Sequence, residues 1–441
     1  MKVFSILLHI TFGLLAITVA EAQHNLSLGD AVRLVTQNNQ ELQATALQNE
    51  IAIQQRADAR GLFLPTVSLS GQVNHYFKRS PFFGFGSDAS EEKIPYGRFG
   101  GEDQLGISLT AIQPIFNPVA APLVKQSEYS LRQSQMQTRL AQINLVADVK
   151  QTYLQILVLM ERKRLQEESI RRNQVVLRDA RSLFLQGKAI RVDTLRAYTA
   201  IKNLEPQISK LQYGIESAKL QLRTLIGITD NDINLTDSLS VLAENEIPDE
   251  TAVYEMAIQN NPLLQMTRLR IESEKQNVAV TSAARLPVVS AIGQYQLQSQ
   301  TNDLAFADAH YPAASFVGLQ LAVPLFTGLR VNAKTHAARL GHQQAQLREQ
   351  YAREQLKTEV HQVLALHHES RERLETALSV RETALLSYDI ISYRYQKGVS
   401  SRLELTDAEF ELSSAKSNYL EAAYDYLSSQ ILLSKLTGSI E

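Results

Sequence analysis

Glu404 and Asp407 stand three residues apart just after a Tyr395-to-Gly398 turn pattern. That spacing puts both carboxylates on one face of a helix. Like charges held together repel one another and attract cations, so the pair reads either as a cation-drawing surface or as an acidic first turn that suits a helix N-terminal dipole. Other chemistries find little support. The chain has no cysteine, which removes disulfides, thiolate zinc sites, cysteine nucleophiles and a lipid-modified cysteine. His361, His367 and His368 share a helical segment without a carboxylate-histidine set at ligand spacing, and read as a solvated face. The glycines at 84 and 86 sit among phenylalanines with no following Lys-Ser/Thr, so they form no phosphate loop. With no nucleophile elbow and no catalytic carboxylate dyad, no enzyme and no cofactor are expected.

The elements that carry these residues are long. Only 19 glycines and 12 prolines occur in 441 residues, so turns are scarce. Lys plus Arg (44) nearly cancels Asp plus Glu (46), which argues against a nucleic-acid partner. Between Leu123 and Gln186 there is neither Gly nor Pro, predicting a helical rod of roughly 100 Å at about 1.5 Å per residue. Its counterpart runs from Leu329 to Lys397, with Leu340, Leu347, Tyr351, Leu356, Val360 and Val363 as a packing stripe. Shorter helices are expected over Leu28 to Arg60 and Arg191 to Ile226, the second kinked at Pro206.

One unit is written twice. Asn38-Asn39, Leu64-Pro65 and Gly71-Gln72 recur at one constant offset as Asn260-Asn261, Leu286-Pro287 and Gly293-Gln294. At a second, shorter offset, Pro114-Ile115-Phe116 returns as Pro324-Leu325-Phe326 and the Phe184-to-Gly187 turn as Tyr395-to-Gly398. Each half reads helix, strand, strand, long helix, helix. The expected organisation is a signal peptide (1–22), a first repeat (23–228, strands about 64–77 and 104–116, long helix about 123–186), a linker (229–247) and a second repeat (248–441, strands about 286–298 and 315–326, long helix about 329–397). Lys2, the apolar run Val3 to Val19 and Ala20-Glu21-Ala22 carry the export reading. No later stretch is apolar for long enough to form a transmembrane helix.

The strands alternate. Val67, Leu69, Gly71 and Val73 interleave with Ser68, Ser70, Gln72 and Asn74, and the other three strands follow suit. Such a pattern fits a soluble sheet over a core or a lipid-facing barrel around water. The loop 75–103 carries Tyr76, Phe77, Phe82, Phe83, Phe85, Tyr96 and Phe99, which suits an interfacial aromatic girdle. Four strands cannot close a barrel, and an open edge in lipid leaves backbone groups unsatisfied. Two chains give a barrel too narrow for an open pore, whereas three give twelve strands.

In the order and spacing of these landmarks the chain resembles TolC-type outer-membrane efflux proteins over essentially its whole mature length. The resemblance implies a mainly α fold with a small β part: a homotrimer forming an α-barrel across the periplasm and a twelve-stranded transmembrane β-barrel in the outer membrane. It implies a passive exit duct of a tripartite efflux or secretion system, joined to a periplasmic adaptor protein and an inner-membrane pump of RND or ABC type. Glu404 and Asp407 match the family's acidic pore constriction, as two stacked rings in a threefold assembly. Asp193, with Tyr395, resembles its inter-helix latch. The latching Arg of some members is here Ser400 and a Thr is Val192, which leaves either Lys188, Arg191 or Arg402 to complete the latch or a weaker latch. The turns at Gly187-Lys188 and Gly398-Val399 match the adaptor-docking turns. An exported periplasmic coiled-coil scaffold or adaptor is the alternative; it shares the signal and the rods but needs neither the paired strands nor the aromatic loops.

Overall fold

The computed structural model describes residues 24–83, 96–228, 233–239 and 249–440. The expected signal peptide, Phe85 and part of the 229–247 linker lie outside these. In chain order the first half holds β1 (His24–Leu26), α1 (Leu28–Asn38), α2 (Gln40–Gly61), β2 (Thr66–His75), β3 (Pro81–Phe83), β4 (Tyr96–Arg98), β5 (Asp103–Phe116), α3 (Ala120–Leu185) and α4 (Arg191–Ile226). The second holds β6 (Ile233–Leu235), α5 (Glu250–Asn260), α6 (Pro262–Ala283), β7 (Val288–Thr301), β8 (Ala313–Ala322), α7 (Arg330–Gln396) and α8 (Arg402–Leu436). The chain is mainly helical with a minor sheet. No helix among the described residues is long and apolar enough to cross a membrane.

The helix expected over Leu28 to Arg60 is two helices. Asn39 stops α1 with an extended backbone (ψ 124°). Its side chain then does two jobs: Oδ1 accepts from Leu42 N at 3.0 Å, capping α2, and Nδ2 donates to Leu225 O at 2.8 Å. Asn261 breaks the second half in the same way, between α5 and α6. Pro206, expected to kink α4, lies inside a helix that runs unbroken to Ile226.

Two compact units form. Among the described residues, one contains 24–44, 139–228, 233–239, 249–261 and 355–440; the other contains 45–83, 96–138 and 262–354. The first unit is built around Leu26, Val35, Val149, Tyr153, Ile156, Leu222, Ile226 and Ile233, all buried. Within the linker, β6 pairs in parallel with β1. Tyr153 fastens this pair, its hydroxyl lying 2.9 Å from both Leu26 O and Asp237 Oδ2, which also accepts from Leu28 N at 2.8 Å. Burial, and then the Asp237 carboxylate, push the Tyr153 phenol well above its usual range.

His367 corrects the sequence reading. It is 1% exposed, with Nδ1 2.9 Å from Ser429 Oγ and its ring stacked on Tyr426 at 5.3 Å. It belongs to the α7–α8 contact and not to a solvated face. His361 is exposed, 3.3 Å from Glu250.

The second unit holds a four-stranded antiparallel sheet in the order β2-β5-β7-β8. Its register sets Leu69 opposite Leu109, Leu109 opposite Tyr295, and Gly293 opposite Val317, so the apolar alternation of all four strands falls on one face. β5 absorbs Pro114 with an irregularity in its pairing to β7. In contrast, β8 ends at Ala322 ahead of Pro324, leaving Leu325 and Phe326 exposed. Along α7 the packing stripe divides: Leu356 and Val360 are buried, whereas Leu340, Leu347 and Tyr351 are exposed.

Candidate functional site

Two helical turns frame the candidate site. α3 ends where Gly187 takes φ +70°, with Gly187 N donating to Phe184 O at 3.0 Å and Lys188 N to Leu183 O at 2.8 Å. α7 ends the same way: Gly398 has φ +75°, and Val399 N donates to Arg394 O at 2.9 Å. Both are left-handed helix ends that favour glycine. Ser401 opens α8, its Oγ accepting from Glu404 N at 3.2 Å. The Ser401-to-Glu404 spacing in the sequence is that of a helix-capping pattern.

Beyond that cap, α8 has two faces. Leu405, Ala408, Glu409 and Leu412 are buried, whereas Glu404 and Asp407 are exposed side by side. Neither makes an ion pair within the chain among the described residues. Among the described residues, those matched to the latch are not joined to one another within the chain. Asp193, in the first turn of α4, and Arg402 are both half-buried, and among the described residues Asp193 has no side-chain hydrogen bond and Arg402 no carboxylate. Lys188 and Val399 are exposed. Tyr395 and Ser400 line a cleft of about 740 Å³ together with Asp179, Leu183, Tyr388 and Leu405. Ser400 is buried there and its hydroxyl has no hydrogen-bond partner among the described residues.

The cleft floor holds the residue that sequence reasoning missed. Glu409 is 8% exposed, and its Oε1 receives Arg172 Nε at 3.2 Å, Asn173 Nδ2 at 3.2 Å and Ser169 Oγ at 3.3 Å, all from α3. The Arg172 guanidinium also lies over the Tyr388 ring of α7, 5.9 Å from its centroid. Burial, and then the Glu409 charge, raise the Tyr388 phenol above its ordinary range. Among the described residues this is the innermost of three charged rungs between α3 and α8. Arg162 to Glu421 (3.5 Å) and Lys416 to Glu168 (3.9 Å) are more exposed. In sequence Glu409 differs little from its exposed neighbour Glu404, and only the packing of α8 on α3 separates them.

The sheet supplies the second functional surface. Its apolar face is uncovered over most of its length, with Leu69 73% exposed, Val317 88% and Leu319 75%; only at the loop end are Asp103 and Ser299 on that face buried. The opposite face is polar, with Ser70 Oγ 2.7 Å from Ser108 Oγ. Among the described residues no strand pairs with the free edge of β2 or of β8. In the loop between β2 and β5, β3 pairs with β4 and Phe82 meets Phe99 edge to face, while Phe77 is 94% exposed.

Comparison with known proteins gives a consistent family. A family model described as outer membrane efflux protein matches residues 31–228 and 253–439. The chain is 21% identical over 431 residues to the outer membrane protein TolC of Vibrio cholerae serotype O1, covering 96% of this chain and 93% of that protein. It is 23% identical over 442 residues to the alkaline protease secretion protein AprF of Pseudomonas aeruginosa, covering 98% and 88%. Among solved structures, the CmeC outer membrane channel of Campylobacter jejuni shares the fold with a TM-score of 0.75 at 18% identity, over 94% of this chain and 86% of that one.

Proposed function

The chain belongs to the outer membrane efflux protein family, and on that premise we propose that three copies close their sheets into one twelve-stranded barrel and their helices into a periplasmic α-barrel. The protein is an outer-membrane exit duct of a tripartite efflux or secretion system, and the family is one of channels. The observation that carries the trimer is the sheet itself. A soluble protein buries an apolar sheet face under a second layer, and this face has none. Lipid satisfies the side chains, but it cannot satisfy the free backbone edges of β2 and β8. Joining β8 of one copy to β2 of the next removes every edge.

In this assembly residues 1–22 direct export, and 23–228 and 248–441 form the two repeats around the linker 229–247. The carboxylates of Glu404 and Asp407 form the acidic constriction. Asp193, Tyr395, Ser400 and Arg402 make the latch between neighbouring helices, and the turns at Gly187-Lys188 and Gly398-Val399 receive a periplasmic adaptor that recruits an RND or ABC pump. AprF is named for protease secretion; drug, metal and protein cargo all fit a passive duct whose choice of cargo lies with its pump.

Because the chain has no cysteine, cysteine pairs placed one on β2 and one on β8 test the closure directly. Oxidation of the purified membrane protein is expected to give a covalent trimer on a denaturing gel at one register. If no register gives intermolecular bonds beyond background, the closure is wrong.

A further inference from the structure

Resting on the barrel just proposed, we infer that its bore does not select by charge: the membrane portion of the duct passes cationic, anionic and zwitterionic hydrophilic solutes alike. The register makes the lining readable row by row. Ser70, Ser108 and Gln296 lie in one row across β2, β5 and β7; Gln72, Gly106 and Gln298 lie in the next. Continued over all four strands, the polar face carries Ser, Thr, Asn, Gln, Gly, Pro, Ala and a few apolar side chains. None of its positions is Asp, Glu, Lys, Arg or His. Threefold assembly repeats each row three times, so any charge there would have become a ring.

The ionisable residues of this region are held elsewhere. His75 and Asp103 close β2 and β5 on the opposite, apolar face, where they pair with each other at 2.7 Å and Asp103 is only 2% exposed. Asp103 also accepts from Leu304 N at 3.2 Å. Lys78, Arg79, Arg98 and Glu102 lie outside the four long strands, in the β2–β5 loop, and Asp303, Asp308 and His310 lie in the β7–β8 connection. Meanwhile β7 presents Gln294, Gln296, Gln298 and Gln300 in succession, with Gln296 Nε2 3.5 Å from Gln298 Oε1. Amides both donate and accept, so they solvate either sign of charge. Rings of carboxylate or guanidinium set selectivity in pores, and this lining has neither. The exposed carboxylates of α8 supply charge at a different place in the chain, which assigns any charge filtering to the helices.

Single cysteines at Ser290, Gln294 and Gln298, in a chain that has none of its own, test the inference in proteoliposomes. Each variant is treated with a cationic trimethylammonium and an anionic sulfonate methanethiosulfonate, and the ratio of the two modification rates is followed with depth. A charged lining concentrates counter-ions about 10-fold or more. The uncharged bore is expected to hold the ratio constant to within about 2-fold from Gln298→Cys to Ser290→Cys. A drift of about 10-fold along the same path overturns the inference while leaving the bore in place. Failure of both reagents at all three positions, with Val317→Cys on the other face reacting or not, instead overturns the assignment of this face to the bore.

Discussion

The guanidinium of Arg172 lies 3.2 Å from Oε1 of Glu409, and the same oxygen collects Ser169 and Asn173, so one carboxylate of α8 takes three donors from α3. Both side chains are largely shielded from water, 23% and 11% exposed, so screening is weaker here than at the outer rungs of the ladder. Glu409→Ala removes the acceptor these three donors share, leaving Asn173 Nδ2 its bond to Ser169 O at 3.0 Å and Arg172 its weaker pairing with Glu168 at 3.9 Å. It is expected to cost about 1–3 kcal/mol, read as a lower denaturant midpoint of the detergent-solubilised protein. Glu409→Gln keeps an acceptor and should lose less. Equal losses in the two variants would assign the effect to charge alone.

Two pairs of glycines separate backbone strain from crowding. Gly187 and Gly398 have positive φ, and a Cβ at either would meet nothing within 4 Å. Gly187→Ala and Gly398→Ala therefore carry only the left-handed penalty of about 1–2 kcal/mol. Gly227 shares the conformation (φ +71°), but its Cβ would lie 2.8 Å from Asn38 O, a backbone atom that cannot step aside. Gly227→Ala is expected to lose about 2–5 kcal/mol, adding overpacking to strain. Gly438 repeats the contact with Asn260 O at a looser 3.1 Å and should fall between them. Thermal unfolding of the four variants in parallel checks the order.

That Asn38–Gly227 contact returns as Asn260–Gly438, at landmarks whose repetition is visible in the sequence. The long helices were equally legible, because a stretch with neither Gly nor Pro from Leu123 to Gln186, and one from Leu329 to Lys397 with Gly341 alone, leave few alternatives, and the strands announced themselves by period-two alternation. What stayed hidden depends on tertiary neighbours. Asn39 looks like an unremarkable helix residue until its amide finds Leu225 O. His367 lies on a polar stretch, yet Tyr426 and Ser429 cover it. Glu404 and Glu409 are the same residue on the same helix, and a turn and a half decides which one meets water.

The exposed pair Glu404 and Asp407 gives a functional prediction. Three copies of each carboxylate around a pore axis attract cations and exclude anions, more strongly at low salt than at high. Glu404→Gln with Asp407→Asn is expected to raise single-channel conductance in planar bilayers and to bring the reversal potential in a salt gradient toward zero. Wild-type selectivity that does not weaken with rising ionic strength, or a double variant that keeps it, would move the constriction to other residues.

Acid should destabilise the fold through identifiable carboxylates. The Ser27 hydroxyl, and then Arg33, hold Asp30 below its usual range. Hydrogen bonding from Arg164 does the same for Glu161. A depressed folded-state pKa means that the unfolded chain binds the proton more readily, so stability rises with pH across the gap. The contribution is complete above the unfolded value, about 4, and drains away as pH falls through the folded values beneath it. The denaturant midpoint is therefore expected to be flat from neutrality to about pH 5 and to decline below about pH 4. Ser27→Ala removes the first-named cause at Asp30 and also the cap of α1, where Asp30 N donates to Ser27 Oγ at 3.1 Å. That variant should start about 1 kcal/mol lower at neutral pH and lose less on acidification. An acid decline as steep as the wild type's would place the responsible carboxylates elsewhere.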